Sequence, residues 1–277
     1  MKCRSPILIH HKSGGCDLVP CGRCVPCIKN KINSWVTRLT YEAHYNPGTY
    51  FITLTYNEEC VPTAENGCKT TKIKDLQNFI KLLRYHLNER LSKTTYSPRI
   101  RYYAVSEYTP TRYRPHYHII VFSSIPLEML RGCVGLSWRQ GFIDIKPVSP
   151  ARIRYVLKRH GIPKDYGHPR GTENPRAIMS TKPGLGYQYL TEARKEYVNQ
   201  HLDDFRTILP DGSYRLIPRY YADAIFSGEE KQIRRDILSQ KYPREVLTPE
   251  QSRARYYEIK NEKWLYYKRL KENHKLK

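Results

Sequence analysis

Two β-rich runs, Ile100 to Tyr108 and His116 to Phe122, flank a short connection, Thr109-Pro110-Thr111-Arg112-Tyr113-Arg114-Pro115. This arrangement constrains the chain more than any other feature. A connection of that length, with a proline near each end, suits a tight return between antiparallel strands. A third run, Tyr50 to Tyr56, alternates, with Ile52 and Leu54 on one face and Thr53 and Thr55 on the other. Phe142 to Val148 reads as another strand.

Helical spacing occupies the intervals. Ile28, Ile32, Trp35, Val36, Leu39 and Ala43 define one helix face, ended by Asn46-Pro47-Gly48. Ile73, Leu76, Ile80, Leu83 and Leu87 repeat through a helix over 71–91, with Thr71 as its expected cap. Ser149-Pro150 supplies a cap and a first-turn proline for a helix running to about His160. The order is β, α, β, β, β, α, which predicts an α+β fold with a central antiparallel sheet flanked by helices. From His160 to Gly186 the chain is rich in Gly and Pro and reads as loop. Beyond Gly228 it turns polar, and Thr248-Pro249-Glu250-Gln251 fits the capping box of a final helix. Three segments are expected: a Cys-rich helical segment over 1–46, the sheet domain over 47–225 and a basic helical extension over 226–277.

Composition narrows the partners. Forty-eight Lys and Arg against 26 Asp and Glu leave a net charge of +22, while 39% hydrophobic and 12% aromatic residues exclude a wholly disordered chain. A polyphosphate needs that much counter-charge and a small acidic molecule rarely does, so nucleic acid is the expected partner. From Pro249 onward nine basic and four acidic residues interleave with Tyr256, Tyr257, Trp264, Tyr266 and Tyr267. Rings among cations suit single-stranded nucleic acid; the alternative is a solvated helix that packs its rings on the main domain. The longest early apolar run, Pro6 to Ile9, is too short for a signal-peptide core or a membrane span. A cytoplasmic location without a membrane partner is therefore expected, and the eight cysteines read as reduced thiols or metal ligands.

Three clusters carry chemistry. His116 and His118, two apart on a strand, point to one side and can converge on one ion. Their apolar followers Ile119 to Phe122 place them in a core strand, where bare imidazoles need a partner. Glu107, on the same face as Tyr103 and Val105 of the neighbouring strand, can be that partner across the hairpin. Two histidines and one carboxylate would leave positions open for a phosphate oxygen and water. Alternatively Glu107 pairs with Arg112 or Arg114 at the surface. Tyr155 and Lys158, three apart on a helix, share a face where an ammonium can favour a phenolate and neutralise phosphate charge. Finally, Cys21-x-x-Cys24-x-x-Cys27 can wrap one tetrahedral zinc ion, with Cys16 or Cys3 as a fourth thiolate; free thiols or an iron–sulfur cluster are the alternatives.

The strand Phe51-Ile-Thr-Leu-Thr-Tyr56, then Ser106-Glu-Tyr with Arg114-Pro-His-Tyr-His-Ile-Ile-Val-Phe122, then Tyr155-x-x-Lys158, resembles the ordered motifs of HUH rolling-circle replication endonucleases. More narrowly, the chain resembles the replication-associated proteins of gokushovirus-type microviruses, which are single-stranded DNA phages. Cys21 to Cys27, Trp138 to Gly141, Lys182 to Tyr187 and Pro218 to Tyr221 strengthen that match, which spans most of residues 16–225. The resemblance implies an HUH nuclease domain over 47–225, with Glu107, His116 and His118 binding Mg²⁺ or Mn²⁺. Tyr155 would attack the scissile phosphate with help from Lys158, and Thr53 and Thr55 would line the site. The product would be a 5′-phosphotyrosine and a free 3′-hydroxyl, in a reversible nick that a later 3′-hydroxyl rejoins. Implied partners are single-stranded and supercoiled origin DNA and the host replication helicase and polymerase, in the cytoplasm of a bacterial host. Ala151 stands where relatives often carry a second tyrosine, so termination calls for another hydroxyl, such as Tyr155 of a second protomer in a homodimer.

Overall fold

The computed structural model describes residues 3–10, 16–109, 111–158, 168–241 and 247–272. They fall into two compact units, one of Arg38–Gln188 and the other of Met1–Thr37 with Tyr189–Lys277. Both divisions differ from the segment limits expected from sequence, because the two ends of the chain cluster together.

The Arg38–Gln188 unit holds a five-stranded sheet. Its strands are β3 (Gly48–Tyr56), β4 (Arg101–Tyr108), β5 (Pro115–Ser123), β6 (Gly141–Pro147) and β7 (Ala177–Met179), in the antiparallel order β6-β3-β5-β4-β7. The α+β class and the antiparallel sheet flanked by helices are as expected. One sheet face sends Ile52, Leu54, Tyr56, Ala104, Tyr117, Ile119 and Val121 into a core with α2 (Ile73–Leu91) and α3 (Leu127–Ser137). There the Tyr56 and Tyr117 hydroxyls lie 2.6 Å apart, and Tyr56 donates to Asp75 at 2.8 Å. Both phenols pack near Trp138. A buried pair, Glu42 with Arg101 at 2.6 Å, ties the end of α1 (Val25–His44) to the start of β4. The second Glu42 oxygen accepts the Gly186 N–H at 2.6 Å, and Arg101 donates to the Pro183 carbonyl at 2.8 Å.

Three local expectations are corrected here. Thr71 does not cap α2: the cap position is Lys72, and the Ile73 N–H is taken by the Glu173 carboxylate at 3.1 Å, a partner 100 residues away. Thr71 instead faces the Tyr108 hydroxyl. The helix α3 lies between β5 and β6, hidden in the sequence by two internal glycines that lower helix propensity. The Gly/Pro-rich stretch after His160 contains β7, whose three residues pair only because β4 offers them an edge. The expected end of α4 near His160 lies outside the described residues; its described span is Pro150–Leu157, with Ser149 Oγ accepting the Arg152 N–H.

The other unit contains two short hairpins, β1 (Ile7–His10) with β2 (Cys16–Val19) and β8 (Arg206–Ile208) with β9 (Tyr214–Leu216). It also holds the first part of α1 and the helices α5 (Glu192–Gln200), α6 (Arg219–Ile225), α7 (Gly228–Lys241) and α8 (Pro249–Glu272). The capping box of α8 forms reciprocally: Thr248 Oγ accepts from the Gln251 N–H at 3.2 Å and Gln251 accepts from the Thr248 N–H at 3.0 Å. Tyr256, Tyr257 and Trp264 are exposed on α8, whereas Tyr266 is half-buried beside Lys29; the Tyr267 side chain is not among the described ones. Among the described residues no helix is long and apolar enough to cross a membrane.

Candidate active site

The sheet face opposite the α2–α3 core assembles the predicted cluster. The hairpin register sets Glu107 directly across from His116 and Val105 across from His118. A one-residue slip would send both imidazoles to the other face. The loop that sets this register is tight: Arg114 donates its N–H to Thr109 Oγ1, its carbonyl accepts the Thr109 N–H, and Tyr113 takes a left-handed φ of 48°. That conformation is unfavourable for a bulky residue and is held by these flanking bonds.

His116 Nε2 and His118 Nε2 lie 3.1 Å apart, with Glu107 Oε2 at 3.9 Å from the first and 3.6 Å from the second. Both rings are nearly buried, at 8% and 7% exposure. The outer nitrogens have their own partners. His116 Nδ1 is 3.1 Å from the Arg114 carbonyl, which only accepts, so the proton sits on Nδ1 and a neutral ring turns its Nε2 lone pair inward. His118 Nδ1 is 3.1 Å from Thr53 Oγ1, a hydroxyl able to donate or accept. His118 can therefore present either a proton or a lone pair at Nε2. Nitrogens bound at right angles to one ion at about 2.1 Å lie about 3.0 Å apart, so the 3.1 Å separation fits shared coordination. Two imidazoles with one carboxylate suit a borderline ion such as Mn²⁺ better than Mg²⁺, which favours oxygen ligands.

Tyr155 reaches this cluster from α4. Ile153, Val156 and Leu157 bury one side of the helix and leave Tyr155 half-buried, its ring 5.1 Å from that of His118 and 6.4 Å from that of Phe51. Burial, and next the charge of Glu107 to which the phenol donates a hydrogen bond, push the Tyr155 pKa up. Lys158 Nζ sits 5.6 Å from the centre of the same ring. Of the two threonines, Thr53 touches the cluster directly, while Thr55 stands opposite His116 in the β3–β5 register. Arg114 is engaged by Glu58 and the Tyr56 carbonyl.

Sequence reasoning did not single out β6. Its register places Phe142 across from Thr55 and Asp144 across from Thr53, on the site's face, and Phe142 is 67% exposed. Gly141 makes that approach: a Cβ there would lie 2.2 Å from the Thr55 carbonyl oxygen, and φ is +152°. An exposed phenylalanine within a strand pattern was the available signal.

The cysteine cluster also forms. Cys3, Cys21, Cys24 and Cys27 bring their sulfurs within 4.8 Å of one another. Thus Cys3 joins the three close-spaced thiols, while Cys16 begins β2 opposite His10 and its side chain is not among the described ones. Burial opposes ionisation of Cys21, yet N–H groups of Arg23 and Cys24 and the neighbouring thiols bring its pKa down to about 7. Burial and the adjoining Cys24 push Cys27 up.

Fold and cluster together place the chain among phage-type replication-associated proteins. Residues 49–161 match the family model described as a replication-associated protein of the ORF2 type. That stretch contains the whole sheet face just described except β7 and the first residue of β3. The chain is 27% identical over 225 residues to the replication-associated protein VP4 of Bdellovibrio phage phiMH2K, covering 74% of this chain and 66% of that protein. It is 28% identical over 225 residues to the replication-associated protein ORF2 of Spiroplasma virus 4, covering 74% and 67%. To the replication-associated protein ORF4 of Chlamydia phage 1 it is 23% identical over 228 residues, covering 75% and 53%. The aligned stretch thus spans about half to two thirds of these relatives' lengths. The resemblance to microvirus-type replication-associated proteins drawn from the motifs is borne out.

Proposed function

We propose that this protein initiates replication of a single-stranded DNA phage by nicking and rejoining origin DNA through a covalent link to Tyr155. The observation that carries the reading is the convergence of Glu107, His116 and His118 with the Tyr155 phenol, which is hydrogen-bonded to the same carboxylate. Glu107, His116 and His118 would hold the metal; Mn²⁺ or Mg²⁺ there supplies a Lewis-acid contact to a phosphate oxygen and offsets the carboxylate's charge. Tyr155 Oη then attacks phosphorus, the P–O3′ bond breaks, and a 5′-phosphotyrosine forms. The phenol proton leaves by way of Glu107, and the departing O3′ takes up a proton to become the free hydroxyl that primes a host polymerase, with a host helicase opening the duplex. Burial keeps Tyr155 protonated at rest, so the nucleophile is drawn out only when a phosphate and positive charge, Lys158 included, are in place. Thr53 orients His118, and the exposed Phe142 ring offers a base a stacking surface on the same face. The basic α8 with exposed Tyr256, Tyr257 and Trp264 adds phosphate and base contacts.

The test is a gel assay with supercoiled and single-stranded origin DNA, with Mn²⁺ or EDTA. A denaturant-stable adduct that requires the metal, maps to Tyr155 and is absent in Tyr155→Phe is expected. Cleavage without an adduct would mean that water is the nucleophile, and binding without cleavage would mean a non-catalytic regulator. An adduct on Tyr187 or Tyr189, or on Tyr166, which lies outside the described residues, would displace the assignment from α4.

A further inference from the structure

We infer that Cys3, Cys21, Cys24 and Cys27 form a four-thiolate site for one structural zinc ion, and that the ion fastens α8 to the amino-terminal segment. This site is independent of the nicking chemistry and uses none of its residues.

Geometry argues for a single ion. Four sulfurs at about 2.3 Å from one tetrahedral zinc lie about 3.8 Å from each other. Cys24 Sγ and Cys3 Sγ are 3.9 Å apart, and all four sulfurs fall within 4.8 Å. A multi-iron cluster places iron and sulfide between its cysteines and holds their sulfurs wider than a single ion does. The surroundings suit thiolates. Cys3 Sγ accepts the Cys21 N–H at 3.2 Å, and Cys21 Sγ accepts the N–H groups of Arg23 and Cys24, each at 3.4 Å. The turn that aims these donors passes through Gly22 at φ +68°, a conformation that favours glycine. Cys24 immediately precedes α1 and Cys27 lies in its first turn, where the helix dipole favours negative charge.

What covers the site is α8. Ile259, 8% exposed, packs on Cys24 and Cys27. Beside it, Glu262 pairs with Arg4 at 2.6 Å, and Arg255 donates to the Arg4 carbonyl at 3.2 Å. Positions 255, 259 and 262 stand at helical spacing on one face, and Arg4 adjoins Cys3. Pinning Cys3 to the Cys21–Cys27 turn therefore also fixes Arg4 and the platform on which that face of α8 rests.

Full-length protein purified without chelator is analysed for zinc and iron, before and after zinc extraction, and amide exchange is followed over 249–272. About one zinc per chain is expected, with extraction raising exchange in α8 by about tenfold or more and zinc re-addition restoring it. Cys3→Ser should lose most of the zinc, whereas Cys60→Ser, an exposed cysteine of the other unit, should keep it. No metal, or iron in its place, would overturn the site. Full zinc in Cys3→Ser would overturn the fourth ligand, and unchanged exchange in α8 after extraction would overturn the coupling. Extraction from the unaltered chain keeps the test decisive should Cys3→Ser not fold.

Discussion

Replacing Thr53 by Val should weaken metal binding at Glu107, His116 and His118 by about 10- to 100-fold while leaving the fold intact. Valine keeps the β-branch, the volume and the strand preference of threonine, and β3 remains paired on both edges. What disappears is Oγ1, which lies 3.1 Å from His118 Nδ1 and sets which nitrogen carries the proton. All three ligands stay, so binding weakens rather than vanishes. That loss corresponds to about 1.4–2.7 kcal/mol of binding free energy. Thr55 supplies the contrast. It stands across from His116, whose Nδ1 is held by the Arg114 carbonyl, so Thr55→Val should weaken binding by less than about threefold. Calorimetric or paramagnetic-resonance titration with Mn²⁺ at fixed pH and salt measures both, with Thr53→Ser as a rescue that restores the hydroxyl. Equal affinities for Thr53→Val and the unaltered protein, or equal losses for Thr53→Val and Thr55→Val, would refute the idea that this hydroxyl orients the ligand.

His118→Ala should abolish metal-dependent cleavage but leave DNA affinity within about threefold, since affinity rests on many phosphate contacts; gel-shift and cleavage assays on one preparation separate the two. Affinity for unrelated DNA should fall with a log–log salt slope beyond about −4 if six or more phosphates are engaged, and a flat response in a salt titration would assign the +22 charge another purpose. Glu42→Ala strands the buried Arg101 guanidinium and the Gly186 N–H, which should cost about 3–5 kcal/mol in urea unfolding; a loss below about 1 kcal/mol would mean water replaces the carboxylate. In zinc-extracted protein Cys21, with its pKa lowered to about 7, should be thiolate above that pH and alkylate with a midpoint near it, while the raised Cys27 reacts slowly; peptide mapping of the label checks this.

Periodicity along the chain is a local property, and what depends on it was legible. The alternation of Ile52 and Leu54 with Thr53 and Thr55, the 3–4 spacing through Leu87, the Ser149-Pro150 start of α4 and the Thr248–Gln251 capping box each rest on neighbours within a few residues. The same locality made the H-x-H pair and Tyr-x-x-Lys visible, and the brevity of the 109–115 connection anticipated Glu107 beside His116. Partners distant in sequence were not legible. Glu173 closes the start of α2 in place of Thr71, β7 exists only because β4 leaves an edge open, and Phe142 comes to the site through strand register rather than motif. Cysteine spacing announced three ligands, but the choice of Cys3 as the fourth in the cluster came from how the first residues fold back on the Cys21–Cys27 turn. Side-chain pattern determines which face of an element seeks burial; which other element arrives there, and with what polar group at its tip, is decided by packing between segments that no local pattern can encode.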